Sequence, residues 1–177
     1  MIDFSRNHFQ LFDLPMRYRL DAAALDAAYR NLQSTVHPDR FVQADDAQRR
    51  LALQASARVN EAYRALKDPV QRAQYLLHLH GVETVGDADT QLPFDFLERQ
   101  LERRETAEDA SGAGDDRTLA ALLAQVRGDA HEIEDRLAID LDQAHGYREA
   151  RTQVRQLTFL AKLAQDVDEM LVALDER

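Results

Sequence analysis

Leu32-Gln33-Ser34-Thr35-Val36-His37-Pro38-Asp39-Arg40 carries the chain out of an amphipathic helix and into a polar turn. The residues leading into it place apolar side chains at Leu25, Ala28, Tyr29, Leu32 and Val36. That is the spacing of one buried helical face. Pro38 disfavours the α region for His37, so the helix should stop there. An imidazole and a carboxylate are then left on a turn, pointing outward, with no core role of their own. Taken alone, the triplet reads equally well as a helix terminator with two solvated polar residues. The sequence on both sides decides between the two.

Upstream, Asn7-His8-Phe9-Gln10-Leu11-Phe12-Asp13-Leu14-Pro15 reads as a short helix stopped by proline. Asp21 is a good N-cap for the helix that follows, with Leu20 and Leu25 as a hydrophobic staple. Downstream, Asp45 can cap a third helix, with Gln48 in capping-box position. Its buried stripe is Leu51, Ala55, Val59, Ala62 and Leu66, and it closes on Lys67-Asp68-Pro69. The order is short helix, helix, His-Pro-Asp turn, helix. With Asn60-Glu61-Ala62-Tyr63-Arg64-Ala65-Leu66-Lys67-Asp68-Pro69 on the third helix, this resembles the J domain of DnaJ-type co-chaperones.

The resemblance narrows further along the chain. Asp68 and Pro69 suit the N-cap and first position of another helix, and Gly81 suits its end. The run Arg72-Ala73-Gln74-Tyr75-Leu76-Leu77 is similar to the HscB-type J-proteins of iron–sulfur cluster assembly. Two later segments, Phe96 to Glu105 and Val154 to Leu163, look like the parts of that family's C-terminal helical domain that carry partner binding.

Bulk properties set the outer limits. The chain has 177 residues, room for one domain or two small ones, and 45% of them are hydrophobic, enough for a packed core. It has no cysteine, which excludes internal disulfides and thiolate metal sites. Met1 to Arg6 lacks the charged-then-apolar pattern of a secretory signal, and the longest apolar runs are far too short for a bilayer, so a cytoplasmic protein is expected. The net charge of −10 is uneven. Residues 1–81 hold 11 basic and 9 acidic side chains, and the rest hold 11 and 23. An acidic second half argues against general nucleic-acid binding. It suits a basic partner or simple solubility.

Residues 82–92 lack helical periodicity and read as a linker. A helix follows Pro93 to about Glu108, and Ala110 to Gly114 reads as a break. The next helix, capped by Asp115 or Asp116, has its stripe at Leu119, Leu122, Leu123, Val126, Ala130, Ile133, Leu137 and Leu141. The last shows Tyr147, Ala150, Val154, Leu157, Ala161, Ala164, Leu171 and Leu174. The expected fold is all-α. A J domain over residues 1–81, an antiparallel helical hairpin with flanking short helices, is joined to a C-terminal three-helix bundle over 93–177.

Rival chemistry is weak. His131-Glu132-Ile133-Glu134-Asp135 begins like a zinc-protease motif but has Asp135 where the second histidine is needed. His78 and His80 point to different sides of a helix and cannot chelate together. There is no Gly-rich phosphate loop and no nucleophile–base pair, so no enzyme, cofactor or metal is expected.

The resemblance implies a mechanism. His37, Pro38 and Asp39 would trigger ATP hydrolysis by an HscA-type heat-shock chaperone. Arg30 and Arg40, with Arg17 and Arg19, would supply positive charge nearby. The usual J-domain pattern has a lysine-rich second helix, whereas here only Arg30 is clearly basic on it. Leu97, Leu101, Glu102, Glu105 and Phe159 match the family's patch for an IscU-type scaffold protein, and Glu98 stands where an apolar residue is expected. Periodicity alone puts Leu97 and Leu101 in the core, while it puts Phe159 well off the stripe of its helix. The alternatives are a J-protein serving a different client and a non-enzymatic helical structural protein. No membrane or nucleic-acid partner is expected.

Overall fold

Asp21, Asp45, Asp68 and Asp115 each start a helix by accepting a backbone N–H with the side-chain carboxylate. Each satisfies a donor that a helix terminus otherwise leaves unpaired. The computed structural model describes residues 3–41, 43–83 and 92–176 and contains no strand among them. The chain divides into two units between His80 and Gly81. Most of the expected linker, residues 84–91, lies outside the described residues.

The first unit holds α1 (His8–Leu11), α2 (Ala22–Val36), a 3-10 turn (Pro38–Phe41), α3 (Asp46–Lys67) and α4 (Pro69–Leu79). Helix α1 is one turn long, held by a reciprocal capping box between Asn7 and Gln10. Helices α2 and α3 form the hairpin. Its core is Leu25 and Val36 from α2 with Val59, Ala62 and Leu66 from α3, joined by Phe9, Leu76 and Leu77. Burying each large apolar side chain contributes about 1.5–3 kcal/mol. Asp68 ends α3 and caps α4, and Pro69 occupies the first turn, where its missing N–H costs nothing. Leu51 departs from the expected stripe: Ala52 takes the buried position, while Leu51 is half-solvated along an open cleft of about 510 Å³ shared with Phe4, Leu32, Val36 and Phe41.

The second unit packs α5 (Phe94–Ala113), α6 (Asp116–Ile139) and α7 (Tyr147–Asp175), with a π-type turn at Asp140–Ala144. Helix α5 runs five residues past the end expected from sequence. Ala107 and Ala110 are buried, so packing outweighs the poor propensity of Ser111 and Gly112. The actual stop is Gly114, at φ 70°, with the Asp115 N–H closing on the Ala110 carbonyl at 2.8 Å. Helix α7 corrects the sequence reading more deeply. Ala161 is exposed and Ala164 only partly buried, while Leu160, Leu163 and Val167 are in the core. Helix α7 packs against both α5 and α6, so its buried face is wider than one stripe. The larger leucines fill it in preference to the alanines.

Candidate functional site

The turn after α2 is built from its own residues. His37 leaves the helical region at φ −57°, ψ 128°, as a residue before proline should. Pro38 then opens a single 3-10 turn that carries Asp39 and Arg40. The Asp39 N–H donates to Nδ1 of His37 at 3.3 Å, and the Arg40 N–H donates to the His37 carbonyl at 3.0 Å. The Asp39 Oδ2 lies 3.5 Å from the same nitrogen. The Asp39 carboxylate keeps its acceptor capacity, and its side chain is 85% exposed.

Arg40 turns back on the helix. Its guanidinium donates to the Ser34 carbonyl at 2.9 Å, satisfying one of the last carbonyls of α2 and placing a cation at the negative end of its dipole. Arg30 is exposed on α2, seven residues before His37 and so on nearly the same side of the axis. Arg17 and Arg19 are not near this turn. They precede α2, whose 15 residues span about 22 Å, and the turn follows it. Their loop is anchored by Tyr18, whose ring lies 4.9 Å beneath the Arg72 guanidinium of α4.

A polar seam between α2 and α3 holds the hairpin, and reading apolar stripes did not reveal it. Tyr29 stacks on Tyr63 with ring centroids 4.0 Å apart. The Tyr29 hydroxyl and the Gln33 amide both donate to Asn60 Oδ1, at 3.0 and 2.6 Å. Asp26 receives Tyr63 Oη at 2.9 Å and Lys67 Nζ at 2.7 Å. Those two bonds, Lys67 first, hold the Asp26 carboxyl below its ordinary range, and Asp26 in turn raises Lys67. The available signal was the recurrence of Asn60, Tyr63 and Lys67 at helical spacing opposite Asp26, Tyr29 and Gln33. The seam fixes α2 against α3 and thereby the point from which the His37–Asp39 turn projects.

In the second unit, α5 has two apolar faces. Phe96, Gln100, Ala107 and Ala110 are buried. Leu97 and Leu101 are not core, against the reading from periodicity: they are 41% and 60% exposed. The physical reason is that α5 packs through another face, with the buried Gln100 standing where an apolar residue would otherwise mark it. Glu98, Glu102 and Glu105 are exposed beside them. Phe159, on α7, is 39% exposed, and its ring meets the buried Phe96 edge-on at 6.1 Å. Phe96 thus fixes an aromatic side chain that would otherwise be loose at the rim of the bundle. The cations of α5 turn elsewhere: Arg103 pairs with Asp129 of α6 at 2.7 Å and Arg104 with Asp166 of α7 at 3.5 Å.

Among the described residues, no group of three or more His, Asp or Glu side chains is arranged to hold a metal, and no helix is long and apolar enough to cross a membrane. Residues 8–75 match the DnaJ domain family, and residues 92–168 match the family described as the HSCB C-terminal oligomerisation domain. A co-chaperone protein HscB homolog of Paraburkholderia xenovorans is 43% identical over 99% of both chains. Among solved structures, the chaperone HscB from Vibrio cholerae superposes with a TM-score of 0.85 at 36% identity, covering 96% of this chain and 99% of that one. The human co-chaperone protein HscB gives 0.87 at 27% identity, covering 94% and 83%. The His-Pro-Asp turn on its hairpin, the three-helix second unit and these full-length likenesses agree: the chain belongs to the HscB family of J-domain co-chaperones.

Proposed function

We propose that this protein stimulates the ATPase of an HscA-type heat-shock chaperone and delivers an IscU-type iron–sulfur scaffold protein to it, acting in the cytoplasm. The observation that carries the first half is the Asp39 carboxylate, held outward on a proline-fixed turn with its acceptor capacity intact. Such a group suits a bidentate arginine on a partner, a strong charge-assisted contact. His37 shapes the turn, Pro38 sets its exit from α2, and Arg40 ties it to the helix end. Arg30 adds a cation on the same side of α2.

The second half rests on the outward face of α5. Leu97 and Leu101 are exposed apolar side chains flanked by Glu98, Glu102 and Glu105, and Phe159 of α7 is exposed where it meets Phe96 of α5. Exposed large apolar groups are favoured protein contacts. On this reading the cluster is bound by the scaffold, and this chain contributes binding surfaces and no reacting group.

Two measurements on the full chain test the proposal. Steady-state ATP hydrolysis by the chaperone should rise when the protein is added, and a pulldown with the protein as bait should retain the scaffold. Stimulation without scaffold capture would leave a J-protein with a different client. Absence of both would leave only a helical structural protein.

A further inference from the structure

Helix α5 begins with Phe94, whose side chain is 78% exposed, the most exposed large apolar group among the described residues. At 100° per residue, Phe94, Leu97 and Leu101 share one face, at spacings of three and seven. The centre of that face lies about 130° around the helix from that of Phe96, Gln100, Ala107 and Ala110, the residues α5 buries. Glu98 is four residues after Phe94 and three before Leu101, so its carboxylate stands beside both. With Arg103 and Arg104 drawn to Asp129 and Asp166, the face presents apolar groups under negative charge. A purely apolar partner would leave Glu98 desolvated without a counter-charge, which is costly.

We propose that the docking patch on α5 starts at Phe94 and that Glu98 selects a partner segment offering an apolar side chain beside a lysine or arginine. This rests on the reading of α5 as the scaffold-binding face and specifies the chemistry that face accepts. Phe94 supplies the terminal apolar anchor of the row. Glu98 supplies orientation and charge selectivity, and its contribution is screened by salt.

Titration calorimetry of the full chain with the IscU-type scaffold protein, at low and at 0.5 M salt, tests the proposal. Phe94→Ala should weaken binding about tenfold, the scale of an anchor at the edge of an interface. Phe94→Leu should recover most of that loss. Glu98→Lys should weaken binding more than tenfold at low salt, and Glu98→Met should bind with little salt dependence. Unfolding midpoints should match the wild type in all four, since both side chains are exposed. If Phe94→Ala and Glu98→Lys bind as the wild type while Leu101→Ala is weakened, the inference is overturned and the scaffold reading stands. If Leu101→Ala and Phe159→Ala also bind as the wild type, α5 is not the scaffold face and both readings fall.

Discussion

Asp39 donates its backbone N–H to the imidazole Nδ1 of His37 at 3.3 Å, so the histidine organises the turn from inside and leaves the carboxylate to the outside. His37→Ala removes that acceptor while Pro38 and the Arg40 bond to Ser34 remain. Chaperone stimulation should fall markedly, while the stability changes by under about 0.5 kcal/mol, as for an exposed turn residue. Full stimulation by His37→Ala would show that Pro38 and the Arg40–Ser34 bond suffice to hold Asp39.

Asn60 joins α2 to α3 through one oxygen that accepts from both Tyr29 and Gln33. Asn60→Ala leaves the part-buried Tyr29 hydroxyl without its acceptor and Gln33 with only a 3.4 Å bond to that hydroxyl, and should destabilise the first unit by about 1–3 kcal/mol. Urea unfolding followed by circular dichroism measures it. An unchanged midpoint would mean that the Tyr29–Tyr63 stack and the Asp26–Lys67 pair hold the hairpin unaided.

His8 gives the first unit a pH dependence. It is buried against Tyr75, with ring centroids 4.0 Å apart and Nδ1 lacking a hydrogen-bond partner. Burial first, and the Arg58 charge second, lower it from 6.5 to about 4. Between those values the unfolded ring binds a proton that the folded ring refuses. The stabilisation is complete above pH 6.5 and is lost as pH falls toward about 4, amounting to at most about 3 kcal/mol. His8→Phe should lose less stability than the wild type between pH 7 and about 4.5. Equal losses in the two proteins would remove His8 as the cause.

Leu101 and Phe159 are exposed, so truncating them should separate binding from folding. Leu101→Ala and Phe159→Ala should each weaken scaffold binding by about 1–3 kcal/mol and lower stability by less than about 1 kcal/mol. Phe96→Ala differs in kind. It removes a buried ring and the support of Phe159, and should cost about 3–5 kcal/mol of stability. Calorimetry beside thermal unfolding distinguishes the two behaviours, and a Leu101→Ala that unfolds would return that residue to the core.

The caps and the hairpin were legible in the sequence because their signals are local. Asp21, Asp45, Asp68 and Asp115 act within three residues of themselves, and Pro38 acts on its neighbour. What escaped depends on which surfaces meet. Ala161 and Leu160 are adjacent, and only the presence of two neighbours around α7 decides that Leu160 goes inside. Gly112 read as a break, yet Ala110 is buried and carries the helix onward to Gly114. At the candidate site, periodicity alone sent Leu97 and Leu101 inward, because a second apolar face looks like a core face until the first is identified. Arg17 and Arg19 were misplaced because closeness in sequence to the start of α2 is distance from the turn at its end.

The most direct measurement is ATP hydrolysis by the HscA-type chaperone with the full-length protein, wild type against Asp39→Asn. The substitution preserves the backbone N–H to His37 and nearly the volume of the side chain, while it removes the charge and replaces one acceptor oxygen with an N–H donor. Wild-type protein should accelerate hydrolysis and Asp39→Asn should lose most of the acceleration, with helicity and unfolding midpoint unchanged. Stimulation by Asp39→Asn at the wild-type level would contradict the central role given to the exposed carboxylate.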